Sequence, residues 1–374
     1  MFLAFKEMRR AVVRFGLLVV AIGMLVFLIL FQQALQDGLI TAFVGAARNQ
    51  SAPVLVYSVD GQRTLQGSVI PPPLEGAVRR VPGVGSAAVV VQGTFTVRVN
   101  DDADDSDAAI LGTDDAELFS PVDISGGRRP SAAGEAVGSD VDFSVGDTVE
   151  VVAAEGSAPV TVTVVGTARD VQLNVIPTLF TDLATFTVAT MAANPDAEGV
   201  LPNALAVRPA PGVSDAAVVD QINQAVPDAE ALTREDAADK TPGVDQVRQS
   251  FQVIFLLYGL VVPLVTGLFF LIVTLQKAGP LTLLRAIGAR PGWLARSLLL
   301  QVAVVICLGL AVGIALYFPL SQARVGGLAL RFDVGVVVVW SALLLGLGLL
   351  SAVVSLRRVL RIDPIEATTG AGVA

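Results

Sequence analysis

The residues able to carry chemistry are few, and their spacing argues against catalysis. Lysine occurs only at Lys6, Lys240 and Lys277, and none of the three follows a glycine. A loop that cradles phosphates needs a Gly-Lys-Ser or Gly-Lys-Thr step, so the chain holds no nucleotide-binding domain of that kind. Histidine is absent, and cysteine occurs once, at Cys307 inside an apolar run. That inventory excludes imidazole-bound metals, histidine-based triads, paired-cysteine redox chemistry and disulfide frameworks, and leaves Cys307 as a small hydrophobe. The acidic run from Asp101 to Asp107 lacks the glycine and terminal glutamate of a calcium-binding loop and reads as a solvated loop. Ser125-Gly126-Gly127 reads as a turn. No catalytic, cofactor-binding or metal-binding residue is expected.

What remains must act through the elements that hold it. The chain is 53% hydrophobic and only 16% charged, with the apolar residues gathered towards its two ends. A hydrocarbon core about 30 Å thick needs about 20 apolar residues at about 1.5 Å each. Four stretches without Asp, Glu, Lys or Arg meet that length: 15–36, 251–276, 297–323 and 334–356. The first could instead be a signal peptide, but its apolar core is long for one and no small-x-small cleavage site follows. Lys6, Arg9, Arg10 and Arg14 precede the first span, and Arg357, Arg358 and Arg361 follow the last. By the excess of basic residues on cytoplasmic sides, both termini (1–14 and 357–374) are expected in the cytoplasm. The loop 277–296 carries Lys277, Arg285, Arg290 and Arg296 without an acid and belongs on the same side. Residues 37–250 and the short loop 324–333 then lie outside, in the plasma membrane of the cell that makes the chain. The absence of Asp, Glu, Lys and Arg within the spans argues against a proton- or ion-coupled carrier.

The outer segment holds 30 acidic and 12 basic residues, a net charge of −18. Such a surface keeps a domain soluble and makes nucleic acid an unsuitable partner. Val-rich runs at 86–91, 94–99, 147–152 and 160–165 read as strands, and 74–81 and 214–226 as helices, the latter capped by Ser214. A helix-compatible stretch from Thr233 through Val244 and Val247 suggests one long stalk helix running into the second span. The expected fold class is an α-helical membrane protein with four transmembrane helices and a mixed α+β domain inserted between helices 1 and 2. Small residues at Gly309, Gly313, Ala342 and Gly346 offer faces for helix packing or for a dimer. Pro263, between Gly259 and Gly267, is a candidate hinge in the second span.

Several short motifs occur in one order: Val81-Pro82-Gly83-Val84, Ile110-Leu111-Gly112-Thr113-Asp114, Gly127-Arg128-Arg129-Pro130, Glu135-Ala136-Val137, Val145-Gly146-Asp147-Thr148-Val149 and Val164-Val165-Gly166. Leu284-Arg285-Ala286-Ile287-Gly288-Ala289 and Asp363-Pro364-Ile365-Glu366-Ala367 follow near the C-terminus. In order and topology these resemble the MacB/FtsX-like permeases, the mechanotransmission or type VII ABC transporters. The resemblance covers nearly the whole chain. It implies an outer domain of the MacB-like periplasmic core type and a separate cytoplasmic ATPase subunit that binds ATP and Mg.

From the residues alone, Leu281, Leu284 and Ile287 give the loop an apolar face able to dock in a partner groove, with Arg285 and Arg290 facing outward. The resemblance makes Leu281, Leu284, Arg285, Ala286, Ile287, Gly288 and Ala289 the ATPase-coupling element. It also implies a homodimer in the lipid bilayer, exporting or extracting a hydrophobic or amphiphilic substrate. Haem is one such substrate in the family, and the lack of histidine removes its commonest axial ligand. The alternative is an FtsX-like complex that transports nothing and passes ATPase motion to an extracytoplasmic protein partner such as a cell-wall hydrolase. A membrane-anchored enzyme or receptor is the third reading, for which no catalytic constellation is found.

Overall fold

The computed structural model describes residues 12–100, 102, 104–276, 291–321, 324–325, 328–330 and 332–360. Four of the described helices are long and apolar enough to cross a bilayer. They are α1 (Val12–Arg48), α6 (Val244–Gln276), α7 (Pro291–Leu320) and α8 (Val334–Leu360). Between α1 and α6 lie ten strands and the short helices α2 (Pro72–Arg79), α3 (Leu183–Ala193), α4 (Asp215–Ala225) and α5 (Arg234–Asp239). Two compact units result, one gathering the apolar helices and the other centred on Asp37–Arg248.

α1 has 37 residues, so it is about 55 Å long and exceeds the bilayer core. α7 is already helical at Pro291, ahead of the expected span. Within the apolar unit, Ile22, Val26, Ile29, Val262, Val305, Ile306 and Leu344 form a buried core. Glycines bring α1 and α7 together. A Cβ on Gly309 would lie 2.5 Å from Ile22, one on Gly313 would lie 2.6 Å from Val26, and one on Gly23 would lie 2.8 Å from Val312. The Gly309-x-x-x-Gly313 face is thus filled from within the chain. Ala342 and Gly346 are exposed on α8, and a Cβ on Gly346 would meet nothing within 4 Å. Pro263 does not end α6, and Ser351 Oγ on α8 donates to its carbonyl at 2.7 Å.

The inserted domain is built on one sheet. Its strand order is β10-β1-β9-β2-β3-β8-β5-β7-β4, with β6 pairing both β2 and β7. The strands are β1 (Val54–Ser58), β2 (Val84–Val99), β3 (Ser106–Thr113), β4 (Ile124–Gly127), β5 (Glu135–Ser139), β6 (Thr148–Val151), β7 (Val160–Ala168), β8 (Thr178–Asp182), β9 (Ala204–Pro209) and β10 (Ala229–Thr233). β3 pairs with β8, and β5 with β7, in parallel. Alternate residues enter separate cores: Val54 and Val56 face one, Leu55 and Tyr57 the other. Helices α2, α3 and α4 cover the first through Val78, Phe186 and Ile222. The second is closed by Ala46 and Ala47 of α1, Leu118 and Phe119, Val171 and Ala237.

Four expectations change. The runs 86–91 and 94–99 are one 16-residue strand, because the pairing continues from β9 to β3 and β6 without interruption. Ser125-Gly126-Gly127 belongs to β4, since its backbone pairs with β7. Asp107 lies in β3 opposite Thr96, so the acidic loop ends before it. The stalk is not one helix from Thr233: α5 ends at Asp239, and Thr241-Pro242-Gly243, with Gly243 at φ 95°, separates it from α6. α5 ends at the Lys240 cap, Pro242 supplies no N–H to carry the helix on, and Gly243, left-handed and directly before Val244, turns the chain into α6. Ser214 does cap α4, accepting from the Ala217 N–H.

These contacts give a paired expectation. Gly313→Ala and Gly346→Ala gain the same helix propensity, about 1 kcal/mol. Only Gly313→Ala forces a methyl against Val26, so it is expected to be less stable than Gly346→Ala by about 1–3 kcal/mol in denaturant titration of the full chain in detergent. Equal stabilities would show that the α1–α7 contact is not close-packed.

Candidate functional site

The last turns of α1 are built into the inserted domain through backbone pairing. Ala46 N–H donates to Gln172 O at 2.9 Å, while the carbonyl of Ala42, its usual partner four residues back in a helix, accepts from Val175 N–H at 2.9 Å. Asn174 N–H donates to Phe43 O at 3.0 Å, and Asn49 Nδ2 to Asp170 O at 2.6 Å. The loop after β7 reaches the helix this closely because residue 45 is glycine, whose missing side chain leaves room for the Asp170 carbonyl. Asn174 and Val175 adopt φ of 53° and 63°. Left-handed backbone is costly for a β-branched residue, and here the two hydrogen bonds to α1 hold it in place.

The first turns of α6 join the same place. Ile40 and Val44 of α1, Ala238 of α5 and Val244 of α6 form a small buried cluster, with Phe43 and Val247 packed on it. At its edge one carboxylate serves both long helices. Arg48 Nη2 lies 2.5 Å and Arg248 Nη2 2.6 Å from the same Oδ1 of Asp239. Partial burial raises the Asp239 pKa, and the hydrogen bonds and charges of Arg248 and Arg48 outweigh it, so the group sits below the usual carboxylate value. A second such pair orders the Gly127–Pro130 turn. Glu135 accepts from Arg128 at 2.7 Å and from Ser131 N–H at 2.8 Å, and the Arg128 hydrogen bond is the main cause of its pKa falling to about 2.

No group of three or more metal-ligating side chains occurs among the described residues. The expected coupling residues Leu281, Leu284, Arg285, Ala286, Ile287, Gly288 and Ala289 lie outside the described residues. Pro263 sits in α6, and of the four small residues singled out, Gly309 and Gly313 pack on α1 while Ala342 and Gly346 stay open on α8. Asp239, Gly45 and the 170–175 loop were not singled out by sequence reasoning. The available signal was positional and weak: Arg248 stands three residues before the second span and Arg48 twelve residues after the first, both on the domain side.

No family model matches the chain. It is 28% identical over 111 residues to a protein named "Putative hemin transport system permease protein HrtB" from Staphylococcus epidermidis ATCC 12228, covering 30% of this chain and 32% of the relative. The same-named protein of strain ATCC 35984 is 27% identical over 111 residues. The match thus spans about a third of the length of these curated relatives. Among solved structures, the periplasmic region of MacB from Actinobacillus actinomycetemcomitans is similar with a TM-score of 0.34 at 11% identity, over 56% of this chain and 94% of that one. The extracellular domain of the transporter YknZ from Gram-positive bacteria gives 0.31 at 11%, over 48% and 99%.

The shared carboxylate predicts a pH dependence. Its folded pKa is depressed, so its contribution is present above the ordinary carboxylate value, near 4, and is lost as pH falls through the folded value. With the three groups 33–43% exposed, each pair is screened and worth about 0.2–1 kcal/mol. Asp239→Asn is therefore expected to speed amide exchange at 40–48 and 244–248 in the full chain at pH 7. The difference from the parent should shrink at pH 3. Identical exchange at pH 7 would remove Asp239 from the anchor.

Proposed function

We propose that this chain is the permease subunit of an ABC-type complex of the MacB/FtsX-like kind. The observation that carries the reading is the match to a hemin transport permease in a chain with four apolar membrane-length helices. On this reading a separate cytoplasmic ATPase, which holds ATP and Mg, engages the segment Leu281–Ala289. Two copies of the permease assemble in the bilayer, with the open α8 face at Ala342 and Gly346 available for the contact. The inserted domain lies outside the cell, both termini inside. ATP-driven displacement of the helices is delivered to the domain at Asp239, where α1 and α6 share one carboxylate. The work done is export or extraction of a hydrophobic or amphiphilic substrate. The continuous α6 and the Ser351 bond to the Pro263 carbonyl favour transmission along the helix over bending at the proline.

Co-purification tests this directly. The tagged chain is expected to bring down a stoichiometric ATPase subunit, and Leu284→Asp or Gly288→Asp to release it while the chain stays in the membrane. Failure to recover an ATPase under any condition would sink the reading. Recovery of an ATPase with a secreted hydrolase would turn it towards signal transmission.

A further inference from the structure

A cavity of about 440 Å³, partly open to solvent, lies within the inserted domain. That volume falls in the range of small-molecule sites, about 300–1,000 Å³. α1 contributes Phe43 and Val44, β1 contributes Tyr57, the loop after β1 contributes Arg63 and Leu65, and the loop after β7 contributes Leu173. Val44, Leu65 and Leu173 are buried in the domain, so the cavity has an apolar floor.

Its polar groups are unbalanced. Tyr57 is 1% exposed and lines the cavity; its hydroxyl has no hydrogen-bond partner among the described residues and is not shut off from the cavity space. Buried phenols ordinarily find one. Burial pushes this phenol well above its usual pKa, so it stays protonated and able to donate. Arg63 spends its Nε on Glu230 Oε1 at 2.6 Å, and its two terminal NH₂ groups have no partner among the described residues. No acidic side chain lines the cavity. Beside Thr64, Gln66, Asn174 and Thr241, which both donate and accept, Tyr57 and Arg63 add donors that no lining carboxylate answers. Both loops at the rim hold left-handed residues, Gln62 and Arg63 on one side and Asn174 and Val175 on the other. Strained backbone of that kind persists where surrounding contacts fix it.

We propose that this cavity binds an amphiphile with one carboxylate head. The carboxylate takes the terminal N–H groups of Arg63, whose planar fork matches two carboxylate oxygens. The apolar body lies among Phe43, Val44, Leu65 and Leu173, and the Tyr57 hydroxyl donates to an acceptor on the same molecule. The inference goes beyond the permease reading and does not depend on which cytoplasmic partner drives the chain.

The test uses the full chain in phosphatidylcholine nanodiscs without ATPase, titrated with the probe 11-(dansylamino)undecanoic acid and with its methyl ester. Saturable binding above that of empty nanodiscs is expected, with the acid favoured over the ester by about tenfold or more. Arg63→Gln should erase that preference. Tyr57→Phe should weaken both probes by about three- to tenfold. Leu65→Trp should abolish binding by filling the floor. Arg63 is exposed and Tyr57→Phe removes only a hydroxyl, so the test stands even if Leu65→Trp does not fold. A signal that follows lipid alone, equal affinity for acid and ester, or unchanged binding in Arg63→Gln and Tyr57→Phe would each overturn the proposal and leave the cavity to water. None of these results bears on the co-purification, so failure here and failure of the permease reading are separable.

Discussion

One carboxylate oxygen holding two arginines is the interaction on which the helix anchor depends. Arg48 closes α1 and Arg248 opens α6, and without Asp239 two guanidinium groups would be left as close neighbours with no counter-charge between them. The energy of the arrangement is small because all three groups are partly exposed and screened. Its value is positional. The apolar contacts of Ile40, Val44, Ala238 and Val244 supply the burial, and such contacts tolerate sliding. A shared acceptor fixes which residue of one helix stands beside which residue of the other. The backbone exchange at Ala42 and Ala46 fixes the rotation of α1 in the same way, since a helix turned by one residue would present no free carbonyl to Val175.

The apolar helices follow a different logic. With lipid as solvent there is little gain from burying leucine, so association rests on close packing and a few polar contacts. Gly23, Gly309 and Gly313 supply the first, and the Ser351 hydroxyl on the Pro263 carbonyl supplies one of the second. Proline at position 263 leaves the carbonyl four residues earlier without its helical donor, which ordinarily invites a bend. A neighbouring helix bonded at that very turn opposes it. Leu256, Leu260 and Leu264 on α6 are 75%, 64% and 64% exposed. At four-residue spacing they form one stripe, as a lipid-facing or partner-facing side requires.

The spans were legible because the test is simple: length and the absence of charge suffice when a bilayer dictates both. Alternating Val-rich runs beside the helical patterns at 74–81 and 214–226 marked the inserted domain as mixed α and β, and Ser214 was readable as a cap from its position before Val218 and Ile222. Strands β1, β8 and β9 were missed because they are buried on both faces, so they lack the alternation that betrays a half-exposed strand. The stalk was drawn too long for a related reason. Residues from Arg234 to Asp239 do form a helix, and the charge pattern continues past it, but Pro242-Gly243 decides the boundary. No local rule pairs Arg48 with Asp239, which are 191 residues apart in sequence. Gly45 lies beyond the expected first span and carried no local signal, and only the approach of the Asp170 carbonyl gives it a reason.

Charge adds a constraint on the cavity that its lining alone does not. The segment 37–250 carries a net charge of −18, and a field of that sign slows the approach of an anion through water. Arg63, the one lining residue charged at neutral pH, is itself partly neutralised by Glu230. Affinity for an anion must then come from short-range hydrogen bonds, which survive screening, and from burial of an apolar body, at about 25 cal/mol per Å² removed from water. Both requirements select against small free anions and for molecules whose tails already concentrate them at a bilayer. Two of the cavity's apolar residues, Phe43 and Val44, stand on the helix whose apolar span ends at Gln36. An amphiphile lodged there would contact α1 directly, next to the turn whose carbonyls are held by Asn174 and Val175. On the proposed binding, ligand occupancy and the set of α1 in its anchor would meet at the same few residues, with no longer pathway needed between them.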